Sequence, residues 1–223
     1  MKKVRFISFW LLLIVSITTV VFTSCGKIDD DEAVKPDPSI TDSGVIINGV
    51  KWATRNVAAP GKFAVNPEDA GMFYQWDFIM AFPATGQVSL WPQTYSTRNT
   101  WEKFNDPSPG GWRIPTFEEC VGLYDQEKVT NEWTTLNGVN GRRFTDIATG
   151  HSIFLPASGY RYGWYGQIYG SGEIGSYWII PFERIFEFLS PEQSFALILK
   201  ESDEANLSSW LRKDASSIRC VAD

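Results

Sequence analysis

The side chains in this 223-residue chain that could do chemistry are few, and their spacing scatters them. There are three cysteines and a single histidine, His151. That leaves no His-based zinc cluster and no Cys–His nucleophile with spare partners. No Gly-x-Ser-x-Gly elbow, phosphate-binding loop or dinucleotide fingerprint occurs. Glu118 with Glu119, and Asp203 with Glu204, are the paired carboxylates a glycosidase would use, but exposed acidic pairs are more often solvated surface. Glu201, Asp203, Glu204 and Asn206 are the oxygen donors from which a calcium site would be built, although a hairpin tip of that composition is usually just wet. The expectation is a protein that is not an enzyme and needs no metal or cofactor.

Aromatic rings are what the sequence concentrates. Tyr160, Tyr162, Trp164, Tyr165 and Tyr169 alternate with Gly159, Gly163, Gly166, Gly170 and Gly172. Rings on a pinned loop offer flat amphipathic faces to sugars or to a protein partner at low entropic cost. The alternative is that several of them fill a small second core beneath the long loops.

Cys25 carries a different chemistry. Lys2, Lys3 and Arg5 precede an apolar run over residues 6–22, and Phe22-Thr23-Ser24 leads into the cysteine. A basic head, an apolar stretch and small residues before a cut describe an export signal. The run is shorter than the roughly 20 residues of a spanning helix, and Ser16, Thr18 and Thr19 dilute it. A cysteine directly after such a cut resembles the bacterial lipobox, in which the thiol is acylated and the upstream peptide, here residues 1–24, is removed. Asp29-Asp30-Asp31-Glu32 resembles the acidic signal by which Bacteroidota send lipoproteins to the cell surface. By composition alone it is a solvated tether, and residues 25–43, with Pro36 and Pro38, read as a linker. The expected location is the outer membrane, held through the lipid on Cys25 and facing the exterior.

Removing Lys2, Lys3 and Arg5 from the 20 cationic side chains leaves 17 against 26 acids, a balance of about −9 for the mature chain. Nucleic-acid binding needs the opposite, a basic face that displaces counterions. About 180 residues follow the linker, enough for one domain with a real core. Nine of the ten tryptophans lie there, and together with many Phe, Tyr and Gly they suit short strands and long loops better than a helical bundle.

The elements that must position these residues can be read in order. Asn48-Gly49 favours a type I′ hairpin between Val45-Ile46-Ile47 and the segment starting at Val50. Residues 71–76 read as a short buried strand, and 83–111 as loop pinned by Trp91 and Trp101. Thr116 with Glu119 forms a capping box, and Phe117, Cys120, Val121 and Tyr124 make one apolar stripe of a helix. Gly138 and Gly141 flank a turn. Residues 152–157 and 177–180 read as strands around the aromatic loop, and 195–200, 207–212 and 217–221 as three closing strands. Few helices and many short strands predict an α+β domain.

Several of these segments, in this order, resemble one family. Ile47-Asn48-Gly49-Val50-Lys51-Trp52-Ala53-Thr54-Arg55-Asn56-Val57 is similar to the opening of the Fibrobacter succinogenes major paralogous domain. So are Pro109-Gly110-Gly111-Trp112-Arg113-Ile114-Pro115-Thr116, then Leu155-Pro156-Ala157-Ser158-Gly159-Tyr160-Arg161, Gly175-Ser176-Tyr177-Trp178 and Ser217-Ile218-Arg219-Cys220-Val221. The resemblance spans residues 44–223 and implies a C-type-lectin-like domain of short antiparallel strands, one or two helices and long structured loops. It departs from the family at Ser108, where a cysteine is usual, and at Ile179-Ile180, where a Ser-Ser pair is usual.

In such folds the first helix is often tied to the last strand, which is where Cys120 and Cys220 fall. They are also the even pair left in an oxidising setting once Cys25 is acylated. A bridge would close a loop of about 100 residues and contribute on the order of 4 kcal/mol; the alternative is two buried thiols packed as small hydrophobes. The functional expectation is a surface lipoprotein whose lectin-like domain binds a glycan or protein ligand without catalysis. The alternative is a structural or adhesin-like subunit of a surface assembly, with a carbohydrate-active enzyme as the outsider.

Metabolic labelling with a clickable fatty acid should mark the protein through Cys25, and Cys25→Ala should abolish the label; unchanged labelling of that variant refutes the anchor. Neutralising residues 29–32 should lower protease accessibility at the cell surface while the lipid stays attached.

Overall fold

The computed structural model describes residues 41–223, with only the backbone at 203–205. Cys25, the acidic run at 29–32 and most of the linker lie outside the described residues. Asn48 and Gly49 take φ values of 46° and 79°, the two left-handed centres that a type I′ turn needs. The hairpin Val45–Ile47/Val50–Asn56 follows, in the register Val45↔Trp52. The same chemistry recurs at Asn137 and Gly138, with φ of 49° and 83°. There it reverses a second hairpin, Val129–Leu136/Val139–Asp146, where sequence reading expects only a turn. Asp146 ties the two hairpins together, its carboxylate accepting the Asn48 N–H at 2.8 Å.

Four antiparallel sheets result. One is ordered Val45–Ile47, Val50–Asn56, Arg219–Ala222, Trp112–Arg113, so that the last strand lies against the first long one. A second joins Ile168–Tyr169, Tyr160–Arg161, Ala215–Ser216, Met72–Gln75 and Ala81–Pro83. The third is Ile174–Ile179, Gln193–Lys200 and Asp203–Leu211, and the fourth adds Ser152–Pro156 to the Asn137–Gly138 hairpin. Single parallel bridges, Gly159↔Gly175 and Tyr177↔Ser217, stitch the second and third sheets together.

The α+β, C-type-lectin-like expectation is therefore corrected. Strands account for 42% and helix for only 8%, and no helix reaches seven residues. The capping box forms as expected, Thr116 N–H donating to Glu119 Oε2 at 2.8 Å and Glu119 N–H to Thr116 Oγ1 at 3.3 Å. The helix nevertheless stops after Phe117–Gly122. A stripe holds a helix only if it finds a surface to cover, and here Val121 is 46% exposed while Leu123, off the expected stripe, is fully buried.

The core is divided by the third sheet. Tyr177, Ile179, Leu197 and Leu199 enter one apolar cluster with Ile47, Trp52, Cys120, Leu123 and Val221. Trp178, Ala196 and Ile198 enter another with Ala53, Trp76, Ile218 and Cys220. Successive residues of a strand face opposite ways, so strands covered on both sides read as unbroken apolar runs rather than alternations.

That parity decides the cysteines. Val221 shares a cluster with Trp52 and Cys120, so Cys220, one residue earlier, points to the other side. The expected Cys120–Cys220 bridge is not formed, and both thiols are free and buried. Cys220 Sγ donates instead to Ser108 Oγ at 3.3 Å. Burial pushes the Cys220 thiol up to about 12 and Cys120 well above its ordinary value, so neither is a thiolate nucleophile at neutral pH.

Alkylation of the folded protein without reductant should leave both thiols unmodified, and unfolding should release two. Ser108→Cys should convert Cys220 to a disulfide under oxidising conditions, seen as a mass two hydrogens lower and one unpaired thiol on unfolding. Two released thiols fewer in the parent protein would restore the Cys120–Cys220 bridge.

Candidate functional site

The aromatic loop is built on the second sheet, and a buried arginine holds it there. Arg161 is fully buried. Its Nε donates to Pro83 O at 2.8 Å, its Nη2 to Thr85 O and Gly86 O at 2.9 and 3.0 Å, and its Nη1 to Gly166 O. One guanidinium thus ties the start of the long 84–111 loop to the aromatic loop. Trp91 adds a second tie, Nε1 to Gly163 O at 2.8 Å, and Gln93 a third, Nε2 to Trp164 O at 3.0 Å.

Under this loop lies a small core, but it is not made of the five expected rings. Phe73, Phe82 and Ala215 fill it, with Trp91, Val88 and Ile168 packed against them. The five rings sit in three places at the surface. Tyr160 and Tyr169 are directly opposite each other on paired strands, their rings stacked at 6.2 Å. Tyr162 meets Tyr169 edge-on at 5.6 Å, and Trp210 meets Tyr160 at 4.8 Å. Tyr169 is exposed and the other three are half-buried, so these four form one continuous ring surface. Trp164 turns away to cover the Lys213 ammonium, 3.8 Å from its ring centroid. Tyr165, 71% exposed, lines a separate cavity of about 310 Å³ with Gly86, Gln87, Val88 and Ile168.

Trp210, Tyr95, Lys213 and Asp214 were not expected at the site. Trp210 and Arg212 fall in the expected closing strand 207–212, and Lys213-Asp214-Ala215 reads as the link after it; in the structure Arg212, Lys213 and Asp214 are all buried. Arg212 donates to Gln193 O, Ser96 O, Arg98 O and Asn99 Oδ1 at 2.6 to 3.1 Å. Asp214 Oδ1 accepts the Gly163 N–H at 2.7 Å. Burial pushes the Asp214 carboxyl up to about 7, against the opposing pull of that N–H and of the Lys213 ammonium.

Glu119 is committed to Arg113 at 2.6 and 2.8 Å and to the helix cap, which makes it a structural group. His151 sits on an exposed turn. Among the described residues, no three His, Cys, Asp or Glu side chains converge as a metal site requires. No protein-family model, curated protein or solved structure matches the chain.

Asp214 makes a pH prediction with a definite sign. Its folded carboxyl titrates near 7 and an unfolded one near 3.9, so between them the native state binds more protons. Its contribution to stability is therefore complete below about pH 4 and lost as pH rises through 7. Asp214→Asn keeps an acceptor for Gly163 and has no charge to bury. The variant should match the parent near pH 4 and be more stable by on the order of 2–4 kcal/mol at pH 8. A melting-temperature difference that is flat from pH 4 to 8 refutes it.

Proposed function

We propose that this protein is a lipid-anchored cell-surface lipoprotein whose β-domain binds a glycan, without catalysis, on the ring surface of Tyr160, Tyr162, Tyr169 and Trp210. The observation that carries the reading is the mutual contact of these rings, 4.8 to 6.2 Å apart. Three of the four stand on hydrogen-bonded strands. Their backbones are fixed before any ligand arrives, so little ordering cost remains to be met on binding. The tyrosines offer an apolar face and a hydroxyl edge together, and Trp210, whose indole N–H is enclosed, adds ring face, which suits the faces and the hydroxyl rim of a pyranose ring.

Scale favours a glycan over a protein partner. A stable protein interface covers about 800 Å² on each side, whereas four rings suit a few sugar units. Anchoring through Cys25, exposure at the outer membrane and kinship with the Fibrobacter succinogenes major paralogous family belong to the same proposal, and rest on the sequence segments that suggest them.

A glycan array with the intact protein, followed by calorimetric titration of the best ligand, tests the site. Tyr169→Ala and Trp210→Ala should each cost roughly 1–3 kcal/mol of binding. Tyr169→Ala should leave the melting temperature nearly unchanged, since that ring is about half exposed. Full affinity in both variants, or retention of only a protein partner, excludes the ring surface as a glycan site.

A further inference from the structure

Lys213 is over nine-tenths buried, and its ammonium is flanked by aromatic rings, with the Asp214 carboxyl acting on it through space. It lies 3.8 Å from the Trp164 centroid and 5.8 Å from that of Tyr95. Among the described residues, no carboxylate pairs with it and no oxygen accepts its N–H groups. The Nζ atom is not among the fully enclosed polar atoms, so its N–H donors open to solvent beside the rings, whose π faces satisfy the charge in part.

The group is held in place. Gln75 Nε2 donates to the Lys213 carbonyl at 2.7 Å. The Lys213 stem lies flat on Gly163, where an added Cβ would come within 2.5 Å of Cγ. The cage borders solvent, because Trp164 is 50% exposed and Tyr95 half-buried. It follows the ring surface along the chain, since Gly163 and Trp164 come directly after Tyr162.

The charges around it are accounted for. Asp214 is engaged with the Gly163 N–H, and the exposed Glu192 accepts the Tyr95 hydroxyl at 3.4 Å. Arg212 is hydrogen-bonded to neutral acceptors and acts through space on the buried Asp77. In a chain of net negative charge, Lys213 is a fixed cation with open donors beside stacking faces.

We propose that Lys213, flanked by Trp164 and Tyr95, is an anion-recognition point, and that the ligand class is a glycan carrying carboxylate or sulfate groups. The proposal rests on the glycan-binding reading above and sharpens it. The acidic group takes the place of water at the Lys213 ammonium in charge-assisted bonds, while neighbouring sugar rings lie on the aromatic surface.

The test is titration of the full-length protein with three oligosaccharides of equal length: neutral β-glucan, its glucuronate counterpart and a sulfated counterpart. At least one acidic member should bind about tenfold or more tightly than the neutral one, and added salt should shrink the gap. Lys213→Gln should bring acidic and neutral affinities together without altering the neutral one, and Lys213→Arg should keep most of the preference. Should Lys213→Gln fail to fold, the preference and its salt dependence in the parent and Lys213→Arg proteins decide.

Equal affinity for all three sugars overturns this inference and leaves the ring-surface reading standing. Acid-selective binding that survives Tyr169→Ala and Trp210→Ala but is lost in Lys213→Gln supports the inference and overturns the ring surface as the main site. Binding of none of the three overturns the inference.

Discussion

A buried guanidinium brings a charge and five N–H donors out of water, and it is tolerated only where acceptors surround it. Arg161, Arg212 and Arg219 are all buried, and each donates to backbone carbonyls, Arg212 and Arg219 also to an asparagine side chain. The segments they grip, residues 83–86, 96–99 and 53–56, include stretches with little regular structure of their own. The arrangement satisfies both parties, since loop carbonyls that have no strand partner are otherwise costly to bury. Loops without ladders are thus fastened by arginines that have no carboxylate partner.

Asp77 does the complementary work with the opposite charge. Fully enclosed, it accepts the Ser96 hydroxyl at 2.6 Å, the Glu102 N–H at 2.9 Å and the Asn105 amide at 3.0 Å, so one side chain shapes the loop that carries Tyr95. Arg212 grips the same loop from the other side through Ser96 O and Arg98 O. Tyr95 therefore stands near Lys213 because two buried charges leave the loop no other course.

The ring surface depends on these fasteners and on strand pairing. Tyr160 and Tyr169 meet because they are opposite residues in a two-residue ladder, where cross-strand side chains lie in contact range. Trp210 arrives from a different sheet, brought over them by the packing of the third sheet on the second. Glycine spacing in the sequence marked this region as ring-rich. It did not separate Tyr165 and Trp164 from the platform, because that division follows from which loop lies beneath each ring.

Local signals in the sequence determined a good deal: the Asn48-Gly49 reversal, the Thr116–Glu119 cap, the closing strands and the aromatic concentration all depend on residues a few positions apart. The Asn137-Gly138 hairpin was equally legible, with the same dipeptide chemistry and alternating strands on both sides. Tertiary structure decided the rest. Whether the stripe after Phe117 stays helical depends on a surface that distant strands provide or withhold. Whether Cys120 and Cys220 meet depends on the parity of a strand covered on both faces. Lys213-Asp214 reads in one dimension only as part of a link between strands, and its burial beside Arg212 follows from the carbonyls and rings of distant segments that close around it.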